Sequence, residues 1–113
     1  MNVTVSRTID LLLNEAKANG SDRREEQRHP FFKPVTIILD GLYQYKFSAF
    51  SRDISTTGIG LLHSMPLNRG LVTLTVSCGE SRAMLRAEIK WCESCGEGWY
   101  MSGAHFLADQ AKR

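Results

Sequence analysis

The chain has 113 residues, 42% of them hydrophobic and 23% charged, which is the size and balance of one globular domain. Fourteen Lys and Arg against twelve Asp and Glu leave a net charge of +2, too even for a chain built to coat a nucleic-acid backbone. The apolar content excludes a wholly disordered chain. No apolar run approaches the ~18 residues of a membrane helix, and Leu11-Leu12-Leu13, directly after Asp10, is too short for a secretory signal core. No membrane insertion is expected, and the expected compartment is the cytoplasm. The odd set Cys78, Cys92 and Cys95 makes a poor disulfide framework and fits reduced thiols.

In chain order, Ile9, Leu12, Leu13 and Ala16 recur at helical spacing, with Ser6 or Thr8 able to cap and Gly20 able to stop the helix. Residues 1–20 are therefore expected to form an amphipathic helix whose stripe packs on its own domain or makes a homodimer. Residues 21–34 are polar and Arg-rich, and Pro30 and Pro34 favour extended backbone before them, so this is expected to be a loop feeding a strand. Residues 35–113 then read as β. Strands are expected at 35–39, 43–49, 59–62, 71–76, 84–91 and 99–106. Asp40-Gly41 and Cys78-Gly79-Glu80-Ser81 mark turns, Glu93 to Gly98 another, and 107–113 adds a short helical tail. No strand alternates with a long helix, which leaves an all-β barrel or sandwich.

Two constellations carry recognition chemistry. Arg24 and Arg28, with Arg23 beside them, place guanidinium forks at most about 13 Å apart along extended backbone. Such forks suit phosphate oxygens and the O6/N7 edge of guanine; the alternative is a solvated cluster with Glu25 and Glu26. In Asp53-Ile54-Ser55-Thr56-Thr57-Gly58, a carboxylate can accept from guanine N1–H and N2, and Gly58 can supply positive φ or a close backbone approach. The alternative is a polar turn satisfied locally.

Together, Arg-x-x-x-Arg and the later Asp-x-Ser-x-x-Gly resemble the PilZ family over residues 22 to 107, with Gly103-Ala104-His105-Phe106 matching its frequent Gly-x-x-Phe strand end. The resemblance implies a six-stranded antiparallel β-barrel and a receptor for the bacterial second messenger cyclic di-GMP. Arg24 and Arg28 would grip phosphates and guanine, and Asp53, Ser55 and Gly58 would hold a guanine from the barrel surface. Arg23 resembles the preceding arginine of PilZ domains that take up an intercalated nucleotide pair. The output expected of such a receptor here is an ordering of the segment from Arg23 to Pro30 that repositions the N-terminal helix and is passed to a protein partner.

Cys92-Glu93-Ser94-Cys95-Gly96 has the shape of half a zinc knuckle, which Cys78 and His105 could complete, but a second Cys-x-x-Cys is missing. Two thiols at a turn are the simpler expectation, with no metal and no cofactor. No Ser/His/Asp set and no paired carboxylates point to an enzyme. Trp91, Trp99, Tyr43 and Tyr45 are expected to pack the barrel or its surface rather than stack nucleic acid. The other functions considered are a protein-interaction module indifferent to nucleotide, a small zinc-containing β domain and a single-strand-binding barrel.

Overall fold

The computed structural model describes residue 9 and residues 12–14, 28–39 and 45–107. The expected Asp40-Gly41 turn, Arg23, Arg24 and the tail after Leu107 lie outside them. The strands are β1 (His29–Pro30), β2 (Pro34–Leu39), β3 (Lys46–Ile54), β4 (Gly58–His63), β5 (Gly70–Cys78), β6 (Ser81–Gly96) and β7 (Trp99–Phe106). The sheet order is β1-β3-β2-β5-β6-β7-β4, and β4 pairs back onto β3. Strands β2 to β7 thus close into a six-stranded antiparallel barrel without free edges.

Alternation fills the barrel. Val35 and Ile37, Val72, Leu74 and Val76, Leu85, Ala87 and Ile89, and Ile59 and Leu61 point inward and are almost wholly buried. With Ala49 and Ile54 of β3 and Ala104 of β7 they form one continuous core drawn from all six strands. Ile9 and residues 12–14 are helical, and Leu12 and Leu13 join that core. For Leu12 and Leu13 the apolar stripe is covered by its own domain, with Ile9 half-buried beside them; the rest of the expected helix at 1–20 lies outside the described residues.

Three expectations need correction. The stretch 21–34 is not loop throughout: His29 and Pro30 pair with Ile54 and Asp53 of β3, and Pro34 already belongs to β2. Pro30 is tolerated because the proline N–H is absent from a strand only two residues long. Glu93 to Gly96 is not a turn, because β6 continues through Gly96; the reversal is the pair Glu97-Gly98, with φ of 58° and 83°. Positive φ at both central residues matches the twist of the flanking strands. The strand expected at 43–49 is displaced along the chain: β3 spans Lys46–Ile54, and Tyr45 precedes it and is exposed.

His63 ends β4 inside the barrel. Its Nδ1 lies 2.6 Å from the Met65 carbonyl and its Nε2 lies 2.7 Å from Ser102 Oγ, so the neutral ring donates to Met65 and accepts from the Ser102 hydroxyl. Burial lowers its pKa, opposed in part by the Met65 hydrogen bond. The unfolded chain therefore binds more protons than the folded one between the ordinary value near 6.5 and the lowered folded value. This contribution to stability is complete above the unfolded value and is lost as pH falls through that window. Urea midpoints are expected to drop more between pH 7 and pH 5 in the wild type than in His63→Gln; equal drops would contradict the assignment.

Candidate functional site

The motif residues meet because of how β1 lies on β3. The first half of β3 pairs with β2 and its second half with β1, so the chain from Arg28 to Leu39 runs along one edge of β3 with a kink at residues 31–33. Ser51, fully buried, fills the kink: its hydroxyl donates to the Phe31 carbonyl and accepts from the Lys33 N–H at 2.9 Å. Phe31 N–H donates to Arg52 O at 3.0 Å, and Ser51 N–H to Lys33 O at 2.9 Å. Pairing His29 with Ile54 brings Arg28 beside Ser55, 27 residues on.

Arg28 Nε donates to Asp53 Oδ1 at 3.1 Å, and its Nη1 donates to Ser55 Oγ at 3.3 Å. Ser55 is itself held: its Oγ accepts from the N–H groups of Thr57 and Gly58, and its own N–H donates to Gly58 O at 2.9 Å. The local-turn reading of Ser55 is therefore correct, and the same oxygen also receives Arg28. Gly58 lacks the positive φ considered above. It is needed for close packing instead, since a Cβ there would overlap the Ala104 carbonyl oxygen of β7.

Asp53 faces outward because of a β-bulge. In the β3–β4 ladder Ser51 opposes Leu61 and Asp53 opposes Gly60, so Arg52 is an extra residue. Ser51 and Ile54 stay inside, while Arg52 and Asp53 share the outer face, where Arg52 Nη1 lies 3.8 Å from Asp53 Oδ2. A second bulge in β6 does the same for Trp91. Ile89 opposes Ala104 and Trp91 opposes Gly103, leaving Lys90 extra. Strict alternation after Leu85, Ala87 and Ile89 would send the indole into the core; instead it lies on the surface over Gly103, 42% exposed.

One row thus crosses four strands: Asp53, Gly60, Gly103, Trp91. Three strand spacings make it about 14 Å long. The two glycines remove side chains from its middle. The Asp53 carboxylate takes the space above Gly60, where a Cβ would come 2.6 Å from Oδ1, and the Trp91 ring takes the space above Gly103. Arg28, Arg52 and Asp53 at one end, and Trp91, Met101 and His105 at the other, enclose an open cavity of ≈ 470 Å³ floored by Gly60. Two guanidinium groups against one carboxylate make it cationic beside an aromatic wall, which suits an anion carrying a planar ring.

Motif reading missed Arg52, Gly60, Met101 and the wall formed by Trp91, and it weighed His105 only for zinc. The register of the glycines and the bulges brings them in. The zinc alternative loses its ligand set. Cys78 is at the start of the β5–β6 hairpin, while Cys95 is exposed near the far end of β6 and Cys92 Sγ accepts from Leu67 N–H at 3.4 Å. Among the described residues no group of three or more His, Cys, Asp or Glu could hold a metal, and no helix is long and apolar enough to cross a membrane.

Gly58→Ala is expected to destabilise the fold by about 1–3 kcal/mol, the usual cost of overpacking a rigid neighbour. A denaturant curve unchanged from wild type would contradict the packing role.

Comparison with known proteins gives a consistent result. Several solved structures share the fold, two of them over three quarters or more of this chain. The PilZ domain of CeSA from a cellulose synthesizing bacterium has a TM-score of 0.58 at 16% identity, covering 75% of this chain and 89% of its own. The Bacillus subtilis inhibitor of motility (MotI/DgrA) has a TM-score of 0.57 at 15% identity over 80% of this chain, which corresponds to 47% of that protein's length. No curated protein sequence matches the chain. PilZ domains are a cyclic di-GMP receptor family of binding and effector modules, not enzymes. The family model described as "PilZ domain" matches residues 22–113, and the chain belongs to that family.

Proposed function

We propose that this protein is a cyclic di-GMP receptor that signals to a protein partner. The observation that carries the reading is the junction of Arg28 with Asp53 and Ser55 at the rim of a cationic trough. Arg28 donates through Nε and Nη1, which leaves its second Nη for a phosphate oxygen or guanine O6/N7. Asp53 has lone pairs beyond the one used by Arg28 Nε, and these accept from guanine N1–H and N2. The Trp91 ring offers the base an apolar face. Cyclic di-GMP supplies two phosphates and two guanines, and Arg24 meets the second phosphate.

Arg23 and Arg24 lie in sequence between the residues around Leu12 and strand β1. Binding that draws these arginines to the trough pulls on the connection to the helix and alters how Leu12 and Leu13 sit on the core. A partner that reads the changed surface completes the signal. His29 and Pro30 are already paired with β3 by protein contacts, so no ordering of these two residues is left to binding. The rival reading, an interaction module indifferent to nucleotide, predicts no saturable binding.

Arg24→Ala and Arg28→Ala are each expected to weaken cyclic di-GMP binding by ~10- to 150-fold, the equivalent of about 1.5–3 kcal/mol for a lost charge-assisted hydrogen bond. Both should keep the wild-type fold, because the exposed guanidinium of Arg28 lies outside the core. In the same calorimetric series Asp53→Ala should also lose preference over cyclic di-AMP. Wild-type affinity in both arginine variants, or wild-type discrimination in Asp53→Ala, would contradict the site.

Cyclic di-GMP also forms an intercalated pair with four negative charges, and Arg23 gives the segment a third fork within six residues. Two nucleotides per chain are expected for the wild type and one for Arg23→Leu. One per chain in both proteins would mean that Arg23 only faces water or pairs with a nearby carboxylate.

A further inference from the structure

Arg52 belongs to neither sequence motif. It is the extra residue of the β3 bulge, with no partner in β4, and the bulge turns it to the same outer face as Asp53. In regular antiparallel pairing one of these two neighbours would point into the barrel. Gly60 determines where the Arg52 side chain goes. Its missing Cβ leaves room for the guanidinium, whose Nη1 would stand 3.2 Å from that atom, so Arg52 lies along the floor of the trough.

Its donors are available. Arg28 is committed through Nε and Nη1 to Asp53 and Ser55, at 3.1 and 3.3 Å. Arg52 meets Asp53 only at 3.8 Å, an ion pair too long for a hydrogen bond. A guanidinium carries five N–H donors, and this contact uses none of them well. The side chain is 37% exposed, so it is partly withdrawn from water while its fork remains reachable from the cavity it lines. A bidentate guanidinium–phosphate contact is the strongest polar interaction such a group can make there.

From this geometry we propose that Arg52 is a third phosphate-binding arginine of the site, gripping a non-bridging phosphate oxygen of the cyclic dinucleotide from the floor of the trough. The assignment rests on the receptor reading above and adds a contact to it. It also explains why a bulge stands here: one inserted residue delivers the base-reading carboxylate and a phosphate-reading cation to the same face. Asp53 keeps the two guanidinium groups from repelling one another, since each lies against a different carboxylate oxygen.

The test measures cyclic di-GMP affinity for wild type, Arg52→Gln and Arg52→Lys, with cyclic di-AMP as a competitor and thermal unfolding alongside. Cyclic di-AMP carries the same phosphates on a different base. Arg52→Gln is expected to bind cyclic di-GMP at least tenfold more weakly, with the preference over cyclic di-AMP kept and the unfolding midpoint unchanged. Arg52→Lys, which keeps the charge and loses the fork, should fall between. Affinity of Arg52→Gln within twofold of wild type would overturn the proposal. So would a loss accompanied by eroded base preference, because Arg52 would then act only by positioning Asp53. If the wild type itself binds no cyclic di-GMP, the receptor reading fails and this assignment falls with it; a wild type that binds beside an unaffected Arg52→Gln removes only the assignment.

Discussion

Inserting one residue into an antiparallel strand reverses the facing of every side chain beyond it, and the outer trough of this barrel depends on two such insertions. Arg52 in β3 and Lys90 in β6 are the extra residues. Each lets a core strand keep its inward side chains, Ser51 and Ile54 in one case and Ile89 in the other, while a residue beside them turns outward. Asp53 and Trp91 are the residues so re-aimed. They stand at opposite ends of one row, and the two strands between them contribute glycine. Without the bulges the carboxylate would be buried in an apolar interior at a cost of several kcal/mol, and the outer surface would have neither the polar rim nor the aromatic wall.

The remaining supports hold that row in place. The Ser51 side chain hydrogen-bonds both ends of the kink between β1 and β2, and it lies one residue from the bulge. It thus ties the segment that carries Arg28 to the strand that carries Asp53. Ser55 does the same from the turn, binding its own backbone and Arg28 through a single oxygen. Because these contacts are made within the protein, half of the polar site is arranged by folding. Less ordering is then left for binding to impose, which favours affinity.

Much of this was legible from the residues. The alternating run 71–76 and the β-branched run 35–39 marked strands where β5 and β2 stand, because a barrel core selects for such patterns on its strands. The two motifs named Arg28, Asp53 and Ser55, and the fold brings those three together. What escaped has a common cause: register. Nothing in Phe47-Ser48-Ala49-Phe50-Ser51-Arg52-Asp53 shows that alternation breaks at Arg52, nor does Glu88-Ile89-Lys90-Trp91 show the break at Lys90. A bulge is fixed by what lies across the ladder, not by local propensity. Gly60 reads as a single glycine and Gly103 only as part of a strand-end match until their pairing is known. The short strand His29–Pro30 was hidden by its proline, and the true hairpin at Glu97-Gly98 by the turn-prone residues before it.

The central claim is that the row from Asp53 to Trp91, with Arg28 at its rim, is the nucleotide site. The most direct measurement is an NMR titration of the isotope-labelled chain with cyclic di-GMP. Saturable shifts are predicted for the Arg28, Asp53, Ser55, Gly60 and Gly103 amides and the Trp91 indole. Thr36, Thr73 and Thr75, on β2 and β5 across the barrel, should stay in place. Saturable shifts centred on those threonines, or no saturable shifts at all, would contradict the account.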